Sequence, residues 1–400
     1  MSTTTADNIL AGRLPAFDYQ PQTRVVFGAG TLARLGELVR ELGGRHVLLV
    51  TDPGLEAAGH PDRAMGFLRE AGCQVQVFNK VEENPTTKQV EAGRRFAGQH
   101  DIDFIVSVGG GSSMDCAKGI NFLLTNGGSM SDYKGHGKAR KPMLPSLSVP
   151  TTAGTGSEAQ SYALIADEKT HMKMACGDKK AAFRVAILDP EVTVTQPASL
   201  TAITGIDAMA HAIESYVSTR RTTLSQTYAL SAWRLLEPNL ETVLQNAADL
   251  EARAAMQLGA NFAGTAIENS MLGATHACAN PLTAHYGLTH GIAIGILLPH
   301  VLRFNAHSVG GMYTDLVRAC SSLGEQASPN GDVALAAEML ARRITDLVKV
   351  AKLPATLSAA GVSKSILHLL AEEAAEQWTG KFNPRPAGEA ELLQIYEAAL

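Results

Sequence analysis

The sequence has few of the features that mark secreted, membrane-spanning or nucleic-acid-binding proteins. Only five of its 400 residues are cysteine and none forms a C-x-x-C pair, so neither a disulfide framework nor a cysteine zinc site is indicated. Aromatic residues make up 5% of the chain and the formal net charge is −5, which gives no case for a nucleic-acid surface. The longest apolar run, near 292–298, is too short to span a bilayer.

The start of the chain also lacks the basic residues and apolar core of a signal peptide. We therefore expect a protein of the reducing cytoplasm, with neither nucleic acid nor membrane as a partner. What the sequence does have is an ordinary globular balance, with 45% hydrophobic residues and 37 glycines. A chain of this length is expected to form two domains.

Up to about residue 190, strand-like and helix-like segments alternate. The predicted strands are 46–51, 74–78, 103–108, 146–149 and 185–188, and the predicted helices include 31–42, 61–72 and 86–99. Buried β-branched runs that alternate with helices are typical of a parallel sheet covered by helices. Beyond Asp189 and Pro190, helical patterns dominate to the end of the chain. We therefore predict an α/β domain over residues 1–190 and an all-helical domain over residues 191–400.

Two glycine-rich turns compete for the phosphates of a dinucleotide. The first, 28–30, follows a short β-branched run and, together with Ala33, spells G-x-G-x-x-A, which is a weak signal by itself. The second, 109–112, reads GGGS, follows a predicted strand and opens a helix. Consecutive glycines let backbone N–H groups and a helix N-terminus close on a phosphate without interference from Cβ atoms. The composition favours a simple turn at 28–30 and a phosphate-binding loop at 109–112.

Two further polar features follow predicted strands. The loop 150–158, PTTAGTGSE, offers hydroxyl groups to phosphate, ribose or nicotinamide, and a polar loop with local Ser/Thr turns is the alternative. Asp52 follows the strand 46–51, where a carboxylate can accept a hydrogen bond from a ribose 2′-OH and repel a 2′-phosphate. This favours NAD over NADP, and a solvated turn residue before Pro53 is the alternative.

Histidines are concentrated in the helical half. Asp207 and His211 are four residues apart, so a helix presents both on one face, and Glu214 lies on nearly the same stripe. For this pair alone, a dipole-stabilising aspartate beside an unrelated histidine is the alternative. His276 and His290 lie among small and apolar residues, and buried histidines that converge most readily share a cation. Asp207 and the three histidines would form an N₃O set suited to iron(II) or zinc(II).

These residues, in this order, resemble the iron-containing (group III) alcohol dehydrogenase family. The resemblance covers nearly the whole chain, and the matching motifs form an ordered series: FGAG (27–30), VTD (50–52), GGGSSMDCAK (109–118), PTTAGTGSE (150–158), LDP (188–190), GIDAMAHAIE (205–214), the HA…P…HG…LLPHV region (276–301) and NPRP (383–386). Some of these motifs are weak individually, but the series is specific.

The resemblance implies a dehydroquinate synthase-like fold, with an α/β N-terminal dinucleotide-binding domain and an all-α C-terminal metal-binding domain. It implies that the metal ligands are Asp207, His211, His276 and His290. It also implies a set of residues that contact the cofactor: Asp52, Gly109, Gly110, Gly111, Ser112, Asp115, Thr151, Thr152, Thr155 and Lys173. For Asp115 and Lys173, a solvated surface charge is the alternative.

The activity implied is that of a metal- and NAD-dependent alcohol dehydrogenase or aldehyde reductase. Its substrates would be small primary alcohols or aldehydes, and we expect a homodimer or a larger homo-oligomer. The alternatives are a glycerol-dehydrogenase-like polyol oxidoreductase, a dehydroquinate-synthase-like cyclase and a non-catalytic protein that binds NAD and metal.

One position departs from the family pattern. Many members have a further histidine four residues after the third ligand, thought to relay a proton, whereas this chain has Asn280. An amide side chain does not titrate near neutral pH. His285 is the candidate replacement for this relay.

Overall fold

The computed structural model describes residues 16–170, 172–323, 329 and 331–400. These residues belong to two compact units. One unit is Gln20–Gln196, and the other is Pro197–Leu400 together with the segment that ends at Tyr19. The first unit is α/β and the second is helical, which confirms the predicted fold class.

The strands of the first unit are β1 (Arg24–Phe27), β2 (His46–Val50), β3 (Gln74–Phe78), β4 (Phe104–Gly109), β5 (Gly135–His136), β6 (Ser146–Pro150), β7 (Tyr162–Ala166), β8 (Lys173–Gly177) and β9 (Val185–Leu188). Six of them form one sheet in the order β1-β9-β6-β4-β2-β3, and every neighbouring pair is parallel. A smaller sheet has the order β5-β8-β7. All five predicted strands are confirmed to within one residue at either end.

Helices cover the six-stranded sheet because its strands are apolar on both faces. Along β4, Ile105 packs into one apolar cluster while Val106 and Val108 pack into another, as the alternation of side chains in a strand requires. The helices of this unit are α1 (Leu35–Glu41), the short α2 (Pro53–Ala57), α3 (His60–Glu70), α4 (Thr87–Ala97) and α5 (Gly111–Asn126). They match the predicted helices, except that 31–34 form a 3₁₀ turn ahead of α1.

The strand order creates a topological switch point between β2 and β4. From β2 the chain moves to β3 on one side, and then returns to place β4 on the other side of β2. In open parallel sheets, ligands bind outside the carboxyl ends of the strands at such a point. The segments that leave these ends are those that begin at Thr51, just before Asp52, after β2 and at Gly110 after β4.

The second unit is built from helices. They are α6 (Ala198–Val217), α7 (Thr223–Gln245), α8 (Leu250–Glu268), α9 (Ala274–Tyr286), α10 (His290–Asn305), α11 (Met312–Arg318), α12 (Val333–Val350), α13 (Leu367–Ala375) and α14 (Glu389–Ala399). Local caps begin several of them; Thr222, for example, exchanges hydrogen bonds with Ser225 at the start of α7. In the described part of the chain, we find no helix with the length and apolarity needed to cross a membrane.

Helix α6 lies in the core of this unit. From Thr204 to Val217 every side chain is buried, and a helix that is buried on all sides needs apolar residues on all sides. Asp207, His211 and Glu214 interrupt that pattern. Because buried polar groups are costly without partners, these three side chains mark the part of the unit where a site is expected.

Candidate metal and cofactor sites

The glycine loop at the end of β4 (residues 109–112) packs closely against the threonine loop at the end of β6 (residues 150–158). A Cβ atom added at Gly111 would lie 2.7 Å from Thr155 Cγ2 and 2.8 Å from its hydroxyl oxygen. At Gly110 it would lie 3.2 Å from Thr152 Cγ2. Only glycine allows the two loops to approach this closely, and the N-terminus of α5 begins at the same point. The loop therefore places glycine backbone amides at the positive end of a helix dipole, which suits an anion.

Asp52 is held in place next to this loop. One carboxylate oxygen accepts from Leu55 N (3.2 Å) at the start of α2, and the other accepts from Ser113 Oγ (3.2 Å) on α5. The structure therefore places Asp52 as a helix cap that bridges the ends of β2 and β4, and not as a solvated turn residue. Ser112, next to Ser113, accepts a hydrogen bond from Asn84 N (3.3 Å).

Asp115 lies against the threonine loop, and Lys173 is near enough for its charge to act on Asp115. Asp115 is buried, and Ser157 Oγ donates to its carboxylate over 2.6 Å. Burial raises the pKa of this carboxyl, while the charges of Lys118 and Lys173 act in the opposite direction. Asp115 is therefore not a solvated surface charge. Lys173 is half-buried on β8.

Lys118 is a residue that the sequence reasoning missed. Its ammonium group is buried and donates to Ser157 O (2.7 Å), Ser157 Oγ (2.9 Å) and Tyr162 O (2.8 Å). It thereby attaches α5, which begins at the glycine loop, to the end of the threonine loop and to the start of β7. In the sequence, the i, i+3 spacing of Asp115 and Lys118 on a predicted helix could have pointed to Lys118.

The turn at 28–30 has a structural role. Its strand, β1, is at the edge of the sheet, with β9 and β6 between it and β4. Gly30 N donates to Asp189 Oδ1 (3.1 Å) and Leu32 N donates to Asp189 Oδ2 (2.9 Å). The amides that would have bound a phosphate are therefore used within the fold.

In the helical unit, the predicted aspartate and three histidines come together. Asp207 Oδ1 lies 3.4 Å from His211 Nε2, 3.4 Å from His276 Nε2 and 3.8 Å from His290 Nε2. The four residues come from three helices, because α6 contributes Asp207 and His211, α9 contributes His276 and α10 begins at His290. We call these four residues the carboxylate–histidine cluster.

The cluster has the dimensions of a metal site. Ligand atoms about 2.0–2.2 Å from a tetrahedral ion lie about 3.4 Å from one another, which matches the separations above. Asp207 Oδ1 and His276 Nε2 are buried, and neither has a hydrogen-bond partner among the described residues. Three of the four residues, Asp207, His276 and His290, each offer a ligand atom, and these atoms lie within 4.8 Å of one another. His211 is not part of that compact set, although its Nε2 lies 3.4 Å from Asp207 Oδ1. The residues present therefore fit a divalent cation.

Charges within the cluster control its protonation. Burial alone would raise the pKa of Asp207, but the neighbouring histidines hold it well below its usual range. Burial alone would lower the pKa of His276, but Glu214 and Asp207 raise it to about 9. Strongly shifted pKa values of this kind are concentrated at functional sites.

Glu214 is the second residue that the sequence reasoning did not assign. Its carboxylate lies 2.5 Å from His276 Nδ1 and accepts from Thr275 N over 2.7 Å. Burial would raise the pKa of Glu214, but the charge and hydrogen bond of His276 lower it. Its spacing from Asp207 and His211, at i+7 and i+3 on one helix, was the signal in the sequence.

The structure does not bring His285 to the cluster. His285 is nine residues after His276 on α9, which is about two and a half turns and places it on the opposite side of the helix. Its imidazole pairs with Glu373 at 2.8 Å. Asn280 is closer along the helix, and its amide donates to Gln377 Oε1 over 3.0 Å.

Two features together define a class of metal- and dinucleotide-dependent oxidoreductases. One is a parallel sheet with a glycine loop at its switch point, and the other is a buried carboxylate–histidine cluster. The chain belongs to the iron-containing alcohol dehydrogenase family, which residues 21–190 match, while residues 201–400 match the C-terminal part of that family.

Two curated relatives show how far the similarity extends. The chain is 36% identical to alcohol dehydrogenase 4 of Schizosaccharomyces pombe, over 94% of this chain and 87% of the relative. It is also 36% identical to the NAD-dependent methanol dehydrogenase of Bacillus methanolicus, over 94% of this chain and 97% of the relative. A crystal structure of a 1,3-propanediol oxidoreductase superposes with a TM-score of 0.92 at 34% identity, covering 96% of this chain and 100% of that one.

These comparisons confirm the predicted family and the activity class of a metal- and NAD-dependent alcohol dehydrogenase. They do not favour the polyol oxidoreductase, the cyclase or the non-catalytic protein. Oligomeric state and cellular compartment stay predictions from the sequence.

Proposed function

We propose that the protein transfers a hydride reversibly between NAD(H) and a small primary alcohol or aldehyde. Asp207, His211, His276 and His290 hold the metal. The observation that carries the proposal is the single carboxylate oxygen of Asp207, which lies 3.4–3.8 Å from three imidazole nitrogens. When bound, a divalent cation supplies a Lewis acid for the substrate oxygen, and the nicotinamide supplies or accepts the hydride.

Iron(II) is the proposed metal. The three nitrogens and one oxygen of the cluster suit iron(II) and zinc(II) equally well. The matching family is described as iron-containing, which favours iron. The role of the protein is to present four ligand atoms from three helices at fixed distances, so that the cation does not need to reorganise its surroundings during the reaction.

The cofactor contacts are those at the carboxyl ends of β2, β4 and β6. Gly109, Gly110, Gly111 and Ser112 bind the diphosphate at the N-terminus of α5. Thr151, Thr152 and Thr155 supply hydroxyls toward the ribose and nicotinamide. Asp115 and Lys173 complete the set, and Asp52 accepts from the adenosine ribose. This role of Asp52 is supported by its position at the switch point, beside the glycine loop.

The substrate is a small primary alcohol or the corresponding aldehyde. The support comes from relatives named as methanol and 1,3-propanediol dehydrogenases. Position 280 holds an asparagine, whose amide does not titrate near neutral pH and donates to Gln377 Oε1. We therefore assign the proton to water or to a ribose hydroxyl, and not to a histidine relay at that position.

An aldehyde panel tests this function. Protein of known metal content is assayed with NADH and with NADPH against small aldehydes, and NADH consumption is followed by absorbance. We expect NADH oxidation that is lost after dialysis against a chelator and restored by iron(II) added without oxygen, with zinc(II) as a parallel arm. Iron-loaded protein that oxidises no NADH with any member of the panel would contradict the proposal.

Replacing Asp52 by asparagine should relax the choice of cofactor. Asparagine keeps an oxygen for Leu55 N at the start of α2 but removes the charge that would face a 2′-phosphate. Because juxtaposed like charges cost several kcal/mol, we expect the ratio of kcat/KM for NADPH to that for NADH to rise about tenfold or more. Steady-state kinetics with both cofactors measure it.

Glu56→Gln is the matched control for this change. It removes an exposed negative charge four residues further along the chain, where Asn79 is the hydrogen-bond partner. The control should leave the cofactor ratio near the wild-type value. Equal ratios in Asp52→Asn and wild type would show that Asp52 does not select the cofactor.

A further inference from the structure

We propose that Glu214 is a positioning residue of the metal site: it orients His276 so that Nε2 faces the metal, and it binds no metal itself. The inference rests on the proposed function. It assigns a role to a carboxylate that lies outside the four-residue cluster and is hydrogen-bonded to His276, one of its members.

The hydrogen bond to His276 determines which ring nitrogen has a lone pair. Glu214 Oε2 lies 2.5 Å from His276 Nδ1, and the other nitrogen, Nε2, faces Asp207 Oδ1 at 3.4 Å. An ionised carboxylate can only accept hydrogen bonds, so the proton must be on Nδ1. A metal-bound imidazole is neutral, so with the proton on Nδ1 its lone pair is on Nε2, the atom that points into the cluster. Carboxylate groups that bind the far nitrogen of a metal-ligating histidine have this effect.

The second oxygen of Glu214 fixes the helix on which His276 lies. It accepts from Thr275 N over 2.7 Å, in the first turn of α9. The first amides of a helix have no partner within the helix, and residue 273, ahead of α9, is a glycine with no side chain to cap them. A Cβ atom at Gly273 would lie 3.0 Å from Glu214 Oε1, so glycine allows the carboxylate of α6 to reach these amides.

Both oxygens of Glu214 are therefore committed to hydrogen bonds with α9. The residue is buried on all sides, and its two partners are a side chain and a backbone amide that are adjacent in sequence. This arrangement makes Glu214 a rigid link between α6, which contributes Asp207 and His211, and the ligand on α9. It also explains why Glu214 is not a ligand or a proton acceptor for the substrate.

Glu214→Gln separates this role from that of a simple helix cap. Glutamine has one accepting oxygen, whereas two donors, Thr275 N–H and His276 Nδ1–H, face this position. If the oxygen caps α9, the amide donates to Nδ1 and the imidazole proton moves to Nε2, which removes the lone pair for the metal. A capping role alone would survive the substitution, but the positioning role would not.

The experiment measures cobalt(II) binding to the full chain. Purified metal-free wild type and Glu214→Gln are titrated with cobalt(II) in competition with a chelator, and the visible absorption of the bound ion is recorded. We expect affinity to fall about 10–100-fold in the variant, the range typical of such partners of metal ligands, with an altered cobalt spectrum. Equal affinity, within about twofold, and an unchanged spectrum would overturn the role of Glu214.

Glu237→Gln is the matched control. Glu237 is also a fully buried glutamate of the helical unit, but its partners are Ser321, Ser322 and Arg343. This variant should unfold at a lower temperature without loss of cobalt affinity. A similar loss of affinity in both variants would mean that affinity reports stability alone, and would overturn the proposal.

A second variant keeps the test decisive if Glu214→Gln does not fold. Glu214→Asp retains the charge but shortens the side chain, so we expect cobalt(II) to raise its unfolding temperature less than it raises that of the wild type. An equal increase would overturn the positioning role. Wild-type protein that takes up no cobalt would instead contradict the proposed function, so the two failures are distinguishable.

Discussion

His276→Ala is expected to abolish turnover while leaving NAD binding intact. His276 is the ligand from α9, and its Nε2 lies 3.4 Å from the Asp207 oxygen that the other two imidazoles also face. Its loss removes one of four ligands and leaves the buried Glu214 without its imidazole partner. A Lewis acid contributes several kcal/mol of transition-state stabilisation, so kcat should fall by about a thousandfold or more.

Three measurements on the same preparation check this result: bound metal, aldehyde-dependent NADH oxidation, and NADH binding followed by nicotinamide fluorescence. The control is His307→Ala, which removes an exposed imidazole from the same unit and should change none of them. His276→Ala protein that is free of metal and still active would show that the cluster is not the catalytic centre. Loss of NADH binding would show that the variant is damaged beyond the metal site.

Gly291→Ala is expected to weaken metal binding about as strongly as Glu214→Gln, although Gly291 provides no ligand atom. Gly291 follows His290 in the first turn of α10. A Cβ atom there would overlap the backbone carbonyl of Ile203 on α6, with the carbonyl carbon only 2.9 Å away. Backbone atoms of a packed helix cannot turn aside, so α10 would have to move away from α6.

That movement displaces His290 from Asp207, which is on α6. Metal sites tolerate changes in ligand distance of about 0.2 Å, so we expect cobalt(II) affinity to fall about tenfold or more. Overpacking should also lower the free energy of unfolding by about 1–3 kcal/mol. Competitive metal titration and chemical denaturation measure the two effects on the same protein.

Gly295→Ala is the control for this change, one turn further along α10. A Cβ atom there would lie 3.1 Å from Val348 Cγ2 and 3.4 Å from Ile206 Cγ2. Both are ends of side chains, which can shift by a few tenths of an ångström. Gly295→Ala should therefore retain most of its metal affinity, and equal losses in the two variants would show that the contact with Ile203 has no special effect on the site.

Most of the fold could be predicted because the sequence patterns that determine it lie within short segments of the chain. The strands of the α/β unit are short apolar runs rich in β-branched residues, and those runs alternate with helical periodicity. A chain of that pattern has few stable arrangements other than a parallel sheet covered by helices. The types of ligand were also visible, since aspartate and histidine are unusual in the apolar surroundings of 204–218 and 276–298.

The parts of the site that could not be predicted depend on long-range contacts. Lys118 contacts Ser157 and Tyr162, which lie on a different part of the chain, and the i, i+3 spacing with Asp115 alone does not indicate those partners. For His285, the nine-residue spacing from His276 on one helix could have shown that the two face opposite ways, but its partner Glu373, 88 residues further along the chain, could not have been predicted.

The sequence by itself determined the class of each unit, the ligand types and the chemistry they suit, because hydrophobic periodicity and residue type are properties of short segments. Only the tertiary structure decided which glycine turn lies at the switch point, since strand order in the sheet differs from chain order. It also decided the partner of Glu214, a histidine 62 residues away. Such pairs form where helices pack, and packing depends on the whole unit and not on any one segment.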